Sequence, residues 1–298
     1  MEKVLVIVGQ TAVGKTSMSI KLAKHLNGEI INGDAMQVYK GLNIVTDKIK
    51  KEQMQGVPHH LFDLKEIHED YNVDEYQQNI RKVISEVASR NKLPIIVGGT
   101  GLYAKAALYD YNFAKEDVSS REVEELYKDK SNDELYEMLL QIDPKSCETI
   151  HKNNRRRVLR ALAIYQATGK SKSEIIDEQK HEQLYDSIII GLTLEKGIIN
   201  DKIDKRIEEM FDEGLIEEVK NNKTTSTASK AIGYKEVTSY LNNEISLDEA
   251  KQLMKIHTHQ YAKRQRTWFK NQLPVHFINN DEKAFDNILD IINTKWSK

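Results

Sequence analysis

The eight residues from Gly9 to Thr16, GQTAVGKT, constrain this chain more than any other stretch. They match G-x-x-x-x-G-K-[ST], follow the apolar run Val4–Val8, and lead into Met18, Leu22 and Leu26 at helical spacing. Between a buried-type strand and a helix, that pattern holds a polyphosphate. Gly9 and Gly14 let the backbone wrap close to phosphate oxygens, and the loop amides with the helix N-terminus supply partial positive charge. The predicted diphosphate-binding set is Gly9, Gln10, Thr11, Ala12, Val13, Gly14, Lys15 and Thr16. Lys15 neutralises terminal oxygens, and the Thr16 hydroxyl is a ligand for Mg²⁺, the one expected cofactor. A plain strand–helix turn gives no reason for lysine at position 15.

Around the loop, short β-branched runs recur at Val4–Val8, Glu29–Asn32, Pro94–Val97, Ser187–Leu192 and Val275–Ile278. Helical patterns lie between most of them. Strands alternating with helices predict an α/β fold, a P-loop-type parallel sheet flanked by helices. Ile203, Ile207, Met210, Phe211, Leu215 and Val219 predict one helix over 201–220. Ser246 and Glu249 form a capping box at the start of another, which carries Tyr261 and Trp268 at spacing that fits core packing better than stacking on a base. Residues 113–186 show no convincing strand. Asn132–Gln141 reads as a short helix, Asp143-Pro144 as a break, and 155–168 as a helix with a basic start. The expected organisation is a P-loop core at 1–112, a helical insertion domain at 113–186, and the rest of the core with C-terminal helices at 187–298.

The loop names a polyphosphate without saying which. Enzymes that cleave nucleoside triphosphates need an Mg²⁺-organising aspartate at the end of a core strand. Here Leu93–Val97 ends in Gly98-Gly99-Thr100-Gly101, with no carboxylate. The carboxylate that does follow a strand is Asp34. In an open parallel sheet the strand C-termini gather on one edge, so Asp34 and Thr100 are expected to face the same cleft as the loop. An aspartate there also reads as a turn or helix cap.

Net charge is −2 over 298 residues, which alone gives no reason for a polyanionic partner. Its distribution does. Residues 151–172 carry seven Lys/Arg and 251–270 carry six, neither with a carboxylate, while 116–143 is acidic. Such segregation builds a basic face on a neutral protein, although any one run reads equally as a solvated helix face. Cys147 is the only cysteine, which excludes an intramolecular disulfide and a cysteine-based zinc cluster. The first strand starts close to Met1 and no apolar run spans a bilayer, so a cytoplasmic protein with no leader and no membrane partner is expected. Adjacent His59 and His60 lack a partner motif for a metal and read as structural or ligand-positioning residues.

Several motifs in order then resemble the tRNA dimethylallyltransferase (tRNA isopentenyltransferase) family. Besides GQTAVGKT, the chain has DAMQVYKGL at 34–42, PHHL at 58–61, VGGTGLY at 97–103, NRRRVLRAL at 154–162, a TG-x-x-x-S segment from Thr168 to Ser173, Gly214 to Val219, AIGYKE at 231–236 and YAKRQRTW at 261–268. The resemblance covers nearly the whole chain. It departs at His259, where the family usually has Arg, and at Ala35, where Ser is commoner.

The resemblance implies transfer of a dimethylallyl group from dimethylallyl diphosphate to the N6 amine of the adenine 3′ of the anticodon. Asp34 would be the general base, with Lys15 and Thr100 completing the catalytic set. Ala35, Met36 and Gln37 would seat the acceptor base. Gln37 suits adenine because an amide can pair with it bidentately. Thr100, Arg121, Arg156, Arg157, Arg160, Lys263, Arg264 and Gln265 would contact tRNA or line its approach. The expected partners are the tRNA anticodon arm and the diphosphate donor, bound by a monomer. Competing readings are a P-loop small-molecule kinase that binds ATP, an adenylate isopentenyltransferase, and a nucleotide-gated RNA-binding factor. The kinase lacks its aspartate, the adenylate enzyme leaves the arginine run unexplained, and the binding factor gives Asp34 no chemical work.

Overall fold

The structure, a computed structural model, describes residues 1–111, 120–179 and 181–296, without the side chains of Ser120 and Arg121. In chain order the elements are β1 (Lys3–Gly9), α1 (Lys15–His25), β2 (Gly28–Asn32), β3 (His59–His60), α2 (Val73–Ser89), β4 (Leu93–Gly98), α3 (Gly101–Leu108), α4 (Ser120–Leu126), α5 (Asn132–Ile142), α6 (Pro144–Cys147), α7 (Arg155–Thr168), α8 (Lys172–Asp177), β5 (Asp186–Thr193), α9 (Lys196–Asp212), α10 (Leu215–Asn221), α11 (Tyr234–Leu241), α12 (Leu247–Gln272), β6 (His276–Asn279) and α13 (Ala284–Trp296).

The chain divides into two compact units, 1–109 with 184–298, and 110–183. The sequence placed these boundaries at 112/113 and 186/187. The larger unit holds one six-stranded sheet in the order β3-β2-β4-β1-β5-β6, every pair parallel. Along β1 the side chains alternate. Val4, Val6 and Val8 pack under α2, α3 and α12, while Leu5 and Ile7 pack under α1 and α13. Both faces are buried, so the strand reads as a continuous apolar run. The chain leaves β1 for α1 on one face and leaves the neighbouring β4 for α3 on the other. Their outgoing loops diverge and open a crevice at the carboxyl edge.

Two segments differ from the sequence reading. The helix expected over 201–220 is two helices, because Gly214 adopts φ 103° between α9 and α10, a conformation open to glycine and costly for other residues. The PHHL segment adds a two-residue strand, with His59 and His60 paired to Ile30 and Ile31. That is too short to show a period. His60 Nε2 lies 2.7 Å from Glu29 Oε2, which also accepts from Arg90 Nη2 at 2.7 Å, and the His59 ring meets the Val57 carbonyl at 2.8 Å.

The smaller unit is helical among its described residues. Ser131 and Glu134 form the box that starts α5, Asp143 caps α6 with Pro144 in its first turn, and Asn154 caps α7. Its core is Val123, Leu135, Leu139, Val158 and Leu162.

Candidate active site

The loop after β1 carries three residues at positive φ: Gly9 (149°), Ala12 (62°) and Gly14 (92°). Such turns point successive amides into one concavity, which suits an anion. Space as well as conformation demands glycine at position 9, where a Cβ would sit 2.7 Å from the Leu192 carbonyl oxygen. Alanine at φ 62° stores local strain, so its surroundings must hold it. Three hydrogen bonds do so. Asn280 Nδ2 donates to the Val13 carbonyl at 2.7 Å. Gln10 Nε2 donates to the Ala262 carbonyl at 3.1 Å, and the buried Gln265 accepts the Thr11 N–H at 2.9 Å.

Gln265 also donates to the Gly99 carbonyl at 3.0 Å. Both ends of its amide are therefore used inside the protein. It braces the cleft between the loop and the turn after β4, a different task from direct contact with tRNA. Trp268, one turn on, packs so close under Gly101 that a Cβ there would overlap its ring.

Lys15 Nζ donates to the carbonyls of Gly9 (3.1 Å) and Gln10 (2.7 Å). Burial pulls its pKa down to about 8, with Asp34 opposing that shift and Arg206 adding to it. Thr16 lies exposed in the first turn of α1. If a cation joins the bound phosphate, this hydroxyl is the group that the loop motif offers it. No cluster of three or more His, Cys, Asp or Glu able to hold a metal occurs among the described residues.

Asp34 follows β2 and lines the same crevice as Lys15 and Thr16. Asn32, almost fully buried, fixes its backbone: Oδ1 accepts the Asp34 N–H at 2.9 Å, and Nδ2 donates to the Asp34 and Leu61 carbonyls at 3.1 and 3.0 Å. The Asp34 carboxylate accepts the Met36 N–H at 2.8 Å. The cap contact does not exclude the base role, since a carboxylate has about four acceptor positions. Burial raises its pKa above the ordinary value, against the opposing pull of the Met36 N–H and Lys15. Thr100 stands opposite, its hydroxyl accepting the Ala35 N–H at 3.2 Å. Gln37 also lines the crevice, but its amide nitrogen donates to the Thr46 and Asp47 carbonyls at 2.9 and 3.3 Å.

Sequence reasoning missed Arg206. It projects from α9 into the crevice, donates to the Thr11 hydroxyl at 2.9 Å and pairs with Asp47 at 3.2 Å. Burial lowers its pKa, which Asp47 and Asp34 partly offset. Tyr261 differs from its expected core role, because it lines the crevice on both sides of Asp34. Beyond Asp34 the crevice continues as a cavity of about 350 Å³ walled by Val45, Ile203, Ile207, Met210, Ile232 and Met254, with Lys230 and Arg264 also on its lining. Arg264 and Lys263 are exposed on α12. In the smaller unit Arg156, Arg157 and Arg160 are exposed on α7. Arg121 falls in the first turn of α4, and its side chain lies outside the described residues.

An all-parallel, doubly wound sheet with this loop and a facing carboxylate defines an α/β protein of the phosphate-loop class. A family profile described as IPP transferase matches residues 37–272. A tRNA dimethylallyltransferase of Anoxybacillus flavithermus is 51% identical over 294 residues, covering 96% of this chain and 93% of that protein. The crystal structure of a tRNA isopentenylpyrophosphate transferase from Bacillus halodurans superposes with a TM-score of 0.75 at 39% identity, covering 99% of this chain and 97% of the other. A eukaryotic dimethylallyltransferase, caught in crystallographic snapshots acting on tRNA, superposes with a TM-score of 0.83 at 31% identity over 100% of this chain and 77% of the other. The chain belongs to the IPP transferase family.

Proposed function

We propose that this enzyme transfers a dimethylallyl group from dimethylallyl diphosphate to the N6 amine of the adenine 3′ of the anticodon in tRNA. One observation carries the reading: the Asp34 carboxylate lines one crevice with Lys15, Thr16 and Arg206, at the mouth of an apolar cavity. The curated relatives' names agree with it.

The loop amides, Lys15 and Arg206 would hold the donor diphosphate. As the allylic C1–O bond breaks, its electron pair passes to the departing diphosphate. Fixed positive groups there stabilise that charge without reorganising. The N6 lone pair forms the new bond to C1, and the N6 proton passes to Asp34. Burial makes this carboxylate a stronger base than an exposed one, which suits abstraction from a weakly nucleophilic aryl amine. Mg²⁺ held by Thr16 would supply further charge neutralisation on the diphosphate. The base must leave its stack to reach Asp34, and the apolar cavity would enclose both it and the prenyl chain. Arg156, Arg157 and Arg160 would grip backbone phosphates of the anticodon arm. Lys263 and Arg264 would do the same at the mouth. The enzyme would act as a cytoplasmic monomer. No helix among the described residues is long and apolar enough to cross a membrane.

A kinase reading is disfavoured because β4 ends at Gly98 and runs on into Gly99, where a metal-organising aspartate would be needed. Incubation with labelled dimethylallyl diphosphate, Mg²⁺ and unmodified tRNA tests the proposal. Label entering tRNA is expected. Label entering AMP instead would transfer the reading to a free-nucleotide enzyme, and label entering neither would end it.

A further inference from the structure

Asp47 brings a negative charge into the crevice that the proposed donor, itself an anion, has to enter. Its Oδ2 lies 3.2 Å from Arg206 Nη1, and the same nitrogen donates to the Thr11 hydroxyl of the phosphate loop at 2.9 Å. Asp47 and Arg206 line one crevice with Lys15, Thr16 and Asp34. A largely buried guanidinium is costly without a counter-ion, and Asp47 supplies one.

The backbone around Asp47 is pinned. Glu218 on α10 accepts the N–H groups of Asn43, Ile44 and Val45 at 2.8–3.0 Å. The Asp47 N–H donates to the Ile44 carbonyl at 3.0 Å, and its carbonyl accepts from Gln37 Nε2 at 3.3 Å. On the other side, the buried Lys48 donates to the Tyr39 carbonyl and pairs with Asp63, each at 2.6 Å. Asp47 itself has φ 49°, a conformation that Asp and Asn adopt more readily than most residues. What stays free to turn is the carboxylate, which is more than half exposed.

The hold of Asp47 on Arg206 is slight. It uses one nitrogen, which is shared with Thr11, and Arg206 Nε is buried with no hydrogen-bond partner among the described residues. Ion pairs with an exposed member contribute little. A diphosphate carries more charge and more acceptor oxygens than one carboxylate, and a guanidinium grips phosphate best through two donors at once.

Building on the diphosphate site proposed above, we propose that Asp47 is an internal stand-in for the diphosphate: it neutralises Arg206 in the empty enzyme and gives Arg206 up when a diphosphate binds. The same competition acts on donor and product, so Asp47 weakens the hold on both and favours release of the product. It is a positioning residue that acts through Arg206.

The test titrates inorganic diphosphate into the intact protein and Asp47→Asn by calorimetry, with and without Mg²⁺, and compares thermal melts of the two free proteins. Asparagine keeps the size of the side chain and tolerates the backbone conformation, but removes the charge. Asp47→Asn is expected to bind diphosphate about 3- to 10-fold more tightly in both buffers, on the scale of a partly exposed ion pair. The free variant is expected to melt about 1–4 °C lower, because Arg206 has lost its counter-ion. These opposite signs separate a stand-in from a structural residue, whose loss lowers stability and affinity together. The KM for dimethylallyl diphosphate should fall as well, with single-turnover transfer at saturating donor unchanged. Equal or weaker diphosphate binding would overturn the proposal. Weaker binding in the Mg²⁺ buffer alone would do so by making Asp47 a ligand of the cation, and tighter binding with no loss of stability would do so by leaving only like-charge repulsion. If the intact protein binds no diphosphate, the donor site itself is wrong and the proposal falls with it.

Discussion

The Gln265 carboxamide oxygen accepts the Thr11 N–H at 2.9 Å, while its nitrogen reaches the Gly99 carbonyl at 3.0 Å. One buried side chain on α12 therefore sets the distance between the phosphate loop and the turn that carries Thr100. Gln265→Ala leaves both backbone groups short of a partner, at a cost of about 1–3 kcal/mol each when buried. Lower stability in denaturant melts is expected, with a rise in donor KM that exceeds the change in tRNA KM. Equal shifts in both would argue against a specific hold on the loop.

Two opposed titrations bracket activity. Asp34 is raised above the ordinary aspartate range by burial, so its basic form appears later as pH rises. Lys15 is lowered to about 8 by burial, so its charge is lost as pH rises through that value. The profile of kcat/KM against pH should climb on the acid side and fall above about pH 8, because this ratio reports groups of the free enzyme. An alkaline limb absent up to pH 10 would separate Lys15 from donor binding.

Away from the crevice, Glu29 is buried between His60 and Arg90. Burial pushes its carboxyl up, but hydrogen bonds from Arg90 and His60 outweigh this and hold it below the ordinary value. A depressed carboxyl stabilises the fold above its unfolded pKa of 4.5, and that stability drains away as pH falls through the folded value. Glu29→Gln should cost about 1–3 kcal/mol at pH 7, with the gap to the intact protein narrowing in acid. Urea melts at several pH values read it directly.

Arg157 is exposed near the N-terminus of α7. If it neutralises one phosphate, Arg157→Ala weakens tRNA binding and lowers the slope of log K against log salt by about 0.7–0.9. An unchanged slope would remove that contact.

Much of the site was legible because its chemistry is local in sequence. The phosphate loop needs two glycines, a lysine and a threonine within eight residues, and Asp34 and Thr100 each follow a strand whose end had to reach one edge. Arg206 was hidden for the opposite reason. It sits inside the apolar stripe of Ile203, Ile207 and Met210, and reads as a charge on a packed face until α9 is laid beside Thr11 and Asp47. The break at Gly214 escaped because apolar spacing continues through it. Tyr261 has helical spacing that fits a core and Gln265 reads as a residue of the tRNA approach, and only the approach of α12 to the loop shows the one lining the cleft and the other bracing it. The apolar cavity beyond Asp34 joins Val45, Ile207, Ile232 and Met254 from four separated segments, so no sequence window contains it.

Asp34→Asn offers the most direct test, because it keeps the size and the Met36 contact of the side chain but removes its basicity. Single-turnover transfer of labelled prenyl to tRNA should fall by about 10²–10⁴-fold, with tRNA affinity unchanged. Transfer at the original rate would contradict the assignment of this carboxylate as the proton acceptor.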